Sequence, residues 1–249
     1  MDRRAFEASS PNQLWQSDVM HGPMVTVDKN KKKKAYLIAI MDDNSRLIPH
    51  AQFYLAERLS DFKDCLKNAL EKRGLPQKLY IDNGSCYKAL NLEQVTAGLG
   101  IGIAHTPPYT PQGRGKIERW FRYVRENFLP TCPKEHSLAS LNELFDDWVE
   151  KYQHKIHSST KETPIERYRK NMKCVRPAPK SLLDYFRFIE FRRVKKDRTF
   201  RLNGTIYEAP LQLIDERVEA RFHKEDPVKR RKAMLGSILS RDNWDPRQN

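Results

Sequence analysis

The chain contains no run of apolar residues close to the roughly 20 needed to cross a bilayer as a helix. Its first residues, MDRRAFEASSPNQLW, hold no apolar core of the kind that directs secretion. Cysteine is scarce and scattered: Cys65, Cys86, Cys132 and Cys174 form no C-x-x-C pair, which argues against a zinc ribbon or a disulfide framework and predicts thiols of a reducing cytoplasm. No G-x-S-x-G elbow is present for a serine nucleophile, and no His/Cys spacing suits zinc. Acid is in deficit as well. Against 32 Asp and Glu stand 46 Lys and Arg, a net charge of +14 with a pI near 9.6. That balance predicts a polyanionic partner, nucleic acid before a membrane surface.

The 249 residues are enough to bury a proper core, as one large domain or two smaller ones. QLWQSDVM (13–20) and the apolar run AYLIAIMDD (35–43) read as strands, joined by a basic tip, DKNKKKK. LIPHAQFYLA (47–56) is a third strand, with Pro49 marking either its start or a sheet edge. Ser60 is the expected N-cap of a helix whose apolar residues run from Phe62 to Leu70 and which stops at Gly74. KLYIDNG (78–84), LNLEQVTAGLG (90–100) and IGIAHTPPY (101–109) read as strand, helix and strand. In the helix after TPQGRG, Ile117, Phe121, Val124 and Phe128 form an apolar stripe. Ser137 caps another amphipathic helix, and Thr163, Pro164 and Glu166 open a third with a capping box.

Beyond about residue 175 the texture changes. CVRPAPK reads as a linker, and FRFIEFRRV and DRTFRLNGTIYEAP as short strands, the latter turning at Asn203-Gly204. In that register Phe200 and Leu202 share a face with Thr205 and Tyr207. The last stretch, from Asp226, shows no strand period and reads as a basic tail.

Strands alternating with helices predict an α/β sheet, whose ligands gather at strand ends. Asp18 and Asp82 close strands, and Glu118 opens a helix after a glycine-bearing loop. Carboxylates suit magnesium, and two ions can serve both the attacking and the leaving oxygen of a phosphodiester. Each acid also has an ordinary reading. Asp18 can be a solvated strand end, Asp82-Asn83-Gly84 a turn, and Glu118 an ion-pair partner of Arg122 worth only ~0.3–0.5 kcal/mol if exposed. Asp42 and Asp43, in DDNSR, read as a turn, and His154 and His157 as packing or phosphate-contacting residues. Arg114, Lys116, Arg119, Arg122 and Arg125 surround Glu118 and are the best placed cations for DNA, with Lys31, Lys32 and Lys33 as a second candidate group.

WQSDV, YIDNGSCY and YTPQGRGKIERWF, with thirty-five residues between Asp82 and Glu118, resemble the signature segments of the DDE integrase catalytic core. That RNase H-like domain is shared by retroviral integrases and bacterial insertion-sequence transposases. KYQHKIHSSTKETPIERY is similar to the segment that closes the core in bacterial members. The resemblance covers roughly residues 11–172. It implies an α/β fold, an RNase H-like mixed sheet flanked by helices, and a triad of Asp18, Asp82 and Glu118 binding two Mg²⁺ or Mn²⁺ ions. It also implies cleavage and transfer of DNA strands. The region after the core looks like the small β-barrel of phage Mu-like transposases.

The expected organisation is a tail (1–10), the core (11–172), a linker (173–184), a small and incomplete barrel (185–225) and a basic tail (226–249). The resemblance further implies transposon ends and target DNA as partners, a homodimer or larger assembly, no membrane, and a nucleoid-associated place in a bacterial cytoplasm. Only about a dozen residues precede the first strand, so a shortened member without the helix-turn-helix region is expected. A nuclease that never joins strands, or a non-catalytic DNA-binding remnant, are the alternatives.

Overall fold

The structure is a computed structural model that describes residues 7–28, 31–81, 90–105, 115–133, 136–170, 172–202, 204–222 and 234–235. Asp82 and Arg114 lie outside the described residues, as do His105's side chain and Asn203. The chain divides into two compact units, one up to Leu182 and one from Leu183 onward.

The first unit is built on five strands in the order β3-β2-β1-β4-β5. β1 (Leu14–Asp28), β2 (Lys31–Asp42) and β3 (His50–Tyr54) form an antiparallel meander. β4 (Lys78–Ile81) and β5 (Gly102–His105) extend it in parallel on the other side of β1. Parallel neighbours need crossovers, and α1 (Leu59–Arg73) and α2 (Leu90–Gly98) fall in those connections. α3 (Gly115–Asn127), α4 (Leu138–Gln153) and the short α5 (Pro164–Arg169) complete the unit.

The apolar run of β2 is buried on both faces, as its unbroken hydrophobicity requires. Leu37, Ala39 and Met41 pack in one cluster with Ile117, Trp120, Phe121 and Val124 of α3 and Leu141, Phe145 and Val149 of α4. Ile38 and Ile40, equally buried, alternate to the opposite face, where α1 packs on β2 and β3. The α3–α4 side is strongly aromatic: Phe145 lies 4.9 Å, ring to ring, from both Phe53 and Phe128. Removing a ring such as Phe145 from this site costs ~3–5 kcal/mol.

The hairpin of β1 and β2 is longer than the sequence pattern indicates. Its register shifts between His21 and Met24, so Pro23, which has no N–H to donate, is absorbed in a bulge and pairing resumes through Met24, Val25 and Thr26. Lys31 to Lys34 are therefore strand residues, exposed on β2 and paired with β1, and not only a tip. β3 does begin just after Pro49 and is one edge of the sheet. Asn142 of α4 closes that edge, accepting from the Phe53 amide at 2.8 Å and donating to its carbonyl at 3.0 Å. The N-cap of α1 is Arg58 and not Ser60, because the Asp61 carboxylate accepts the Arg58 N–H and starts the helix earlier. Gly74, at φ +74°, ends α1 where a Cβ would meet the Arg176 carbonyl at 2.3 Å.

Residues assigned to an N-terminal tail and to a linker also join this unit. The Ala8 amide donates to Asp43 at 2.7 Å, and Arg176 donates to the carbonyls of Pro76 and Gly100 at 2.6 and 3.0 Å.

α6 (Leu182–Tyr185) spans the division between the units. In the second unit, β9 (Arg217–Phe222) is the middle strand of a three-stranded sheet, paired with β6 (Phe188–Arg193) on one side and β10 (Met234–Leu235) on the other. β7 (Thr199–Leu202) and β8 (Thr205–Glu208) form a separate hairpin with Phe200 opposite Tyr207 and Leu202 opposite Thr205. Val194, Phe200, Leu202, Val218, Ala220 and Phe222 form the core of this unit. Among the described residues these strands make two sheets around that core, not a closed barrel. β10 lies in the stretch expected to be a strandless tail. It owes its place to pairing with Ala220 and Arg221, which no local pattern in the sequence announces.

Candidate active site

The pleat of the sheet decides where Asp18 points. It stands opposite Ala39 in the β1–β2 register, two residues before Met20, which stands opposite Leu37. Ala39, Met20 and Leu37 all belong to the cluster packed under α3 and α4, so Asp18 lies on that face of the sheet. It is half-buried, and its Oδ1 accepts from the Val19 amide at 2.8 Å. α3 covers the same face by burying Ile117, Trp120, Phe121 and Val124. Glu118 falls in the first turn of α3, where the helix dipole favours a carboxylate, and is exposed. Among the described residues it makes no ion pair with Arg122.

β4 runs parallel beside β1, with Tyr80 opposite Gln16, and ends at Ile81, one residue before Asp82. Asp82 itself lies outside the described residues, and among those described no three acidic, His or Cys side chains gather into a metal-binding group.

A second pair of acids sits at the end of β2, and both are fully buried. Asp42 accepts from the Asn12 amide at 2.7 Å and from the amide and hydroxyl of Ser45 at 2.8 and 2.6 Å. These bonds fold DDNSR into a turn, as its composition suggests. Burial nonetheless pushes the Asp42 carboxyl above its usual range, because lost hydration outweighs the donors. Asp43 accepts from the Ala8 amide, from Gln16 Nε2 at 2.6 Å, and from Lys116 Nζ at 2.7 Å on each oxygen.

Lys116, one of the candidate DNA contacts, has an ion-pair partner within the fold in Asp43. Burial holds the ammonium below its usual range and Asp43 opposes that shift. The chain Gln16–Asp43–Lys116 ties β1, the turn after β2 and the first turn of α3 together. Gln16 is two residues from Asp18 and Lys116 two from Glu118, so the clamp fixes both elements that carry the candidate acids. Sequence gives no signal for it, since Asp43 and Lys116 are 73 positions apart.

The other candidate cations that are described lie at the surface. Arg119, Arg122 and Arg125 are exposed on α3, and Lys31, Lys32 and Lys33 are exposed on β2. Arg114 lies outside the described residues. His154 pairs with Glu150 at 3.0 Å, whereas the His157 ring nitrogen meets the Ser159 hydroxyl at 3.1 Å, so the two do not act as a pair.

Residues 8–111 match the integrase core domain family, and residues 99–164 match a second model with the same description. Residues 8–164 belong to the integrase core family. Over 188 residues the chain is 31% identical to the transposase of transposon Tn552 from Staphylococcus aureus, covering 66% of this chain and 39% of that protein. It is 26% identical over 123 residues to the transposase of insertion sequence IS21 from Pseudomonas aeruginosa, covering 49% of this chain and 31% of the relative. The chain therefore spans well under half the length of these two transposases. The catalytic core domain of BIV integrase superposes with a TM-score of 0.50 at 23% identity, covering 64% of this chain and 95% of the other. A chain of the simian T-cell lymphotropic virus intasome superposes with a TM-score of 0.54 at 17% identity, covering 90% and 76%. At such identities the likeness is one of fold: the mixed sheet flanked by helices is the integrase core fold.

Proposed function

We propose that this integrase core is a transposase or integrase that cleaves DNA and transfers the resulting 3′ end to a second DNA. The observation that supports this most is the placement of Asp18 and Glu118. One lies on the sheet face that α3 covers, the other in the first turn of α3, and the Gln16–Asp43–Lys116 clamp lies two residues from each.

The donor chemistry suits a hard divalent cation. Asp18 and Glu118 carry carboxylate oxygens, β4 runs beside β1 and ends one residue before Asp82 in the sequence, and oxygen donors are what such an ion takes. Asp18, Asp82 and Glu118 would hold two Mg²⁺ or Mn²⁺ ions, which when bound supply activation of the attacking oxygen and charge stabilisation at the leaving oxygen. The protein's own share is positional. α3 is pinned to the sheet by its buried stripe, so Glu118 is delivered on a rigid element. Arg119, Arg122 and Arg125 offset the repulsion between clustered carboxylates and the phosphate backbone. Their contribution is largely counterion release and hence steeply dependent on salt.

On this reading the partners are transposon ends and target DNA, bound by a homodimer or larger assembly on the nucleoid of a bacterial cytoplasm. The experiment is a strand-transfer assay with a pre-processed DNA end in Mg²⁺ or Mn²⁺. Joined product that disappears in Asp82→Asn is the expected outcome. Metal-dependent joining that survives that change sinks the triad. Cleavage without joining supports a nuclease, and salt-dependent binding with neither supports a non-catalytic DNA-binding protein.

A further inference from the structure

Between the end of β2, the side of α3 that carries Lys116, Arg119, Trp120 and Tyr123, and the segment that follows α4 lies a cavity of about 250 Å³. Its lining combines the aromatic rings of Trp120, Tyr123 and Tyr152 with four cations, Arg46, Lys116, Arg119 and Lys155. No acidic side chain lines it among the described residues. Only part of that positive charge is answered nearby. Lys116 is matched by Asp43, but Arg46 reaches Glu7 only at 3.4 Å, and the same carboxylate serves Arg167 at 2.8 Å. Lys155 has a neutral partner: its Nζ donates to the Tyr123 hydroxyl at 3.1 Å and lies 5.5 Å from that ring's centre. Arg119 is exposed at the mouth. The surplus is felt by His157, also in the wall, whose imidazolium is disfavoured by burial and then by Arg46, Arg119 and Arg167.

A second observation concerns hydrogen bonding. Trp120 is 3% exposed, and its indole N–H has no acceptor in the structure. An unsatisfied buried donor costs ~1–3 kcal/mol, which an acceptor entering the cavity would recover. The tyrosines are held in place. The Tyr152 hydroxyl donates to the Arg46 carbonyl at 3.1 Å, and the Tyr123 and Tyr152 rings lie 6.0 Å apart.

We infer that this cavity binds one nucleotide unit, its base against Trp120, Tyr123 and Tyr152 and its phosphate against Arg119 and Lys155. Planar apolar walls suit a base, whose stacking on such rings contributes ~1–3 kcal/mol. Guanidinium and ammonium groups suit a phosphate. The volume falls just below the ~300–1,000 Å³ of ordinary ligand pockets, which suits a single monomer and no more. The same chemistry has two sources, a free nucleotide or a base unstacked from a DNA strand. Only the second source rests on the proposed function.

Calorimetric titration of the full chain with dAMP, deoxyadenosine and inorganic phosphate tests the inference. Expected is dAMP binding at least about tenfold tighter than either fragment, weakened about fivefold or more by Arg119→Gln and by Lys155→Gln, both exposed and safe for folding. Competition by a single-stranded oligonucleotide but not by an abasic strand of equal length assigns the DNA source. Failure of both strands to compete assigns the free nucleotide. Equal affinity for dAMP and phosphate, or dAMP binding indifferent to both substitutions, overturns it. The catalytic reading fails separately: dAMP binding without DNA cleavage upholds the cavity alone, and cleavage without dAMP binding upholds the triad alone.

Discussion

Two pairs of acids lie on the first unit and are treated in opposite ways. Asp42 and Asp43 are fully buried, and their hydrogen-bond partners are donors that build the fold: backbone amides, Ser45, Gln16 and Lys116. Asp18 is half-buried and Glu118 exposed, at the surface of a rigid core. An acid enclosed by donors has its charge already spent on structure. An exposed carboxylate on a rigid element, as Glu118 is, costs folding little because water still solvates it.

The sharpest way to break this contrast is to neutralise one member of each pair. Glu118→Gln and Asp18→Asn should each lower DNA cleavage by about a thousandfold or more, the loss of several kcal/mol of charge stabilisation at the reacting phosphate. Glu118→Gln should lower Tm by no more than about 4 °C, since an exposed first-turn carboxylate contributes only ~0.3–1 kcal/mol through the helix dipole. Equal activity in a quantitative nicking assay would remove Glu118 from the site.

Asp43→Asn should do the reverse in kind. It removes the Asp43 charge from a half-buried Lys116, a loss smaller than the ~3–5 kcal/mol of breaking a fully buried pair. Thermal unfolding should register it at about 2–4 °C per kcal/mol for a unit of this size. The double variant Asp43→Asn with Lys116→Met should recover part of that loss. Activity of the double variant, measured below its Tm, should stay depressed because the start of α3 is no longer clamped. Full activity there would reduce the clamp to stability alone.

Ser45→Ala is a gentler test of the buried pair. It removes the 2.6 Å bond to Asp42 and should cost ~1–2 kcal/mol in denaturant unfolding with no effect on cleavage. An unchanged midpoint would mean that the remaining amide donors suffice for Asp42.

The smallest effect concerns pH. Burial lowers the His157 pKa below 6.5 in the folded chain, so between the two values the unfolded chain binds more protons. Stability is then complete above pH 6.5 and falls as the pH drops toward the folded value. The slope should be well under the ~1.4 kcal/mol per pH unit of one full proton, since His157 is only half-buried. His157→Gln should flatten it, and an unchanged slope would assign the effect to His50, which burial also lowers.

The local elements were legible because each rests on short-range physics. The stripe of α3, the Ser137 and Thr163 caps, the Gly74 stop and the β7–β8 register follow from spacing within a few residues. Position at strand ends and at a helix start singled out Asp18, Asp82 and Glu118 as candidates, and composition marked DDNSR as a turn. Reach was the limit for the rest. The bulge that carries β1 to Asp28, the pairing of β10 with β9 and the edge closure by Asn142 depend on partners distant in the chain.

Sequence alone determined where acid is rare and cation abundant, and therefore which carboxylates and which class of partner deserve attention. The tertiary structure decided which charges remain available. Lys116 and Arg119 are neighbours in one basic helix and look equivalent as letters. One is drawn into the core by Asp43 and the other stands in solvent at the mouth of an aromatic cavity. Burial sets that difference, because the solvation of a charge depends on everything folded around it and not on its neighbours in the chain.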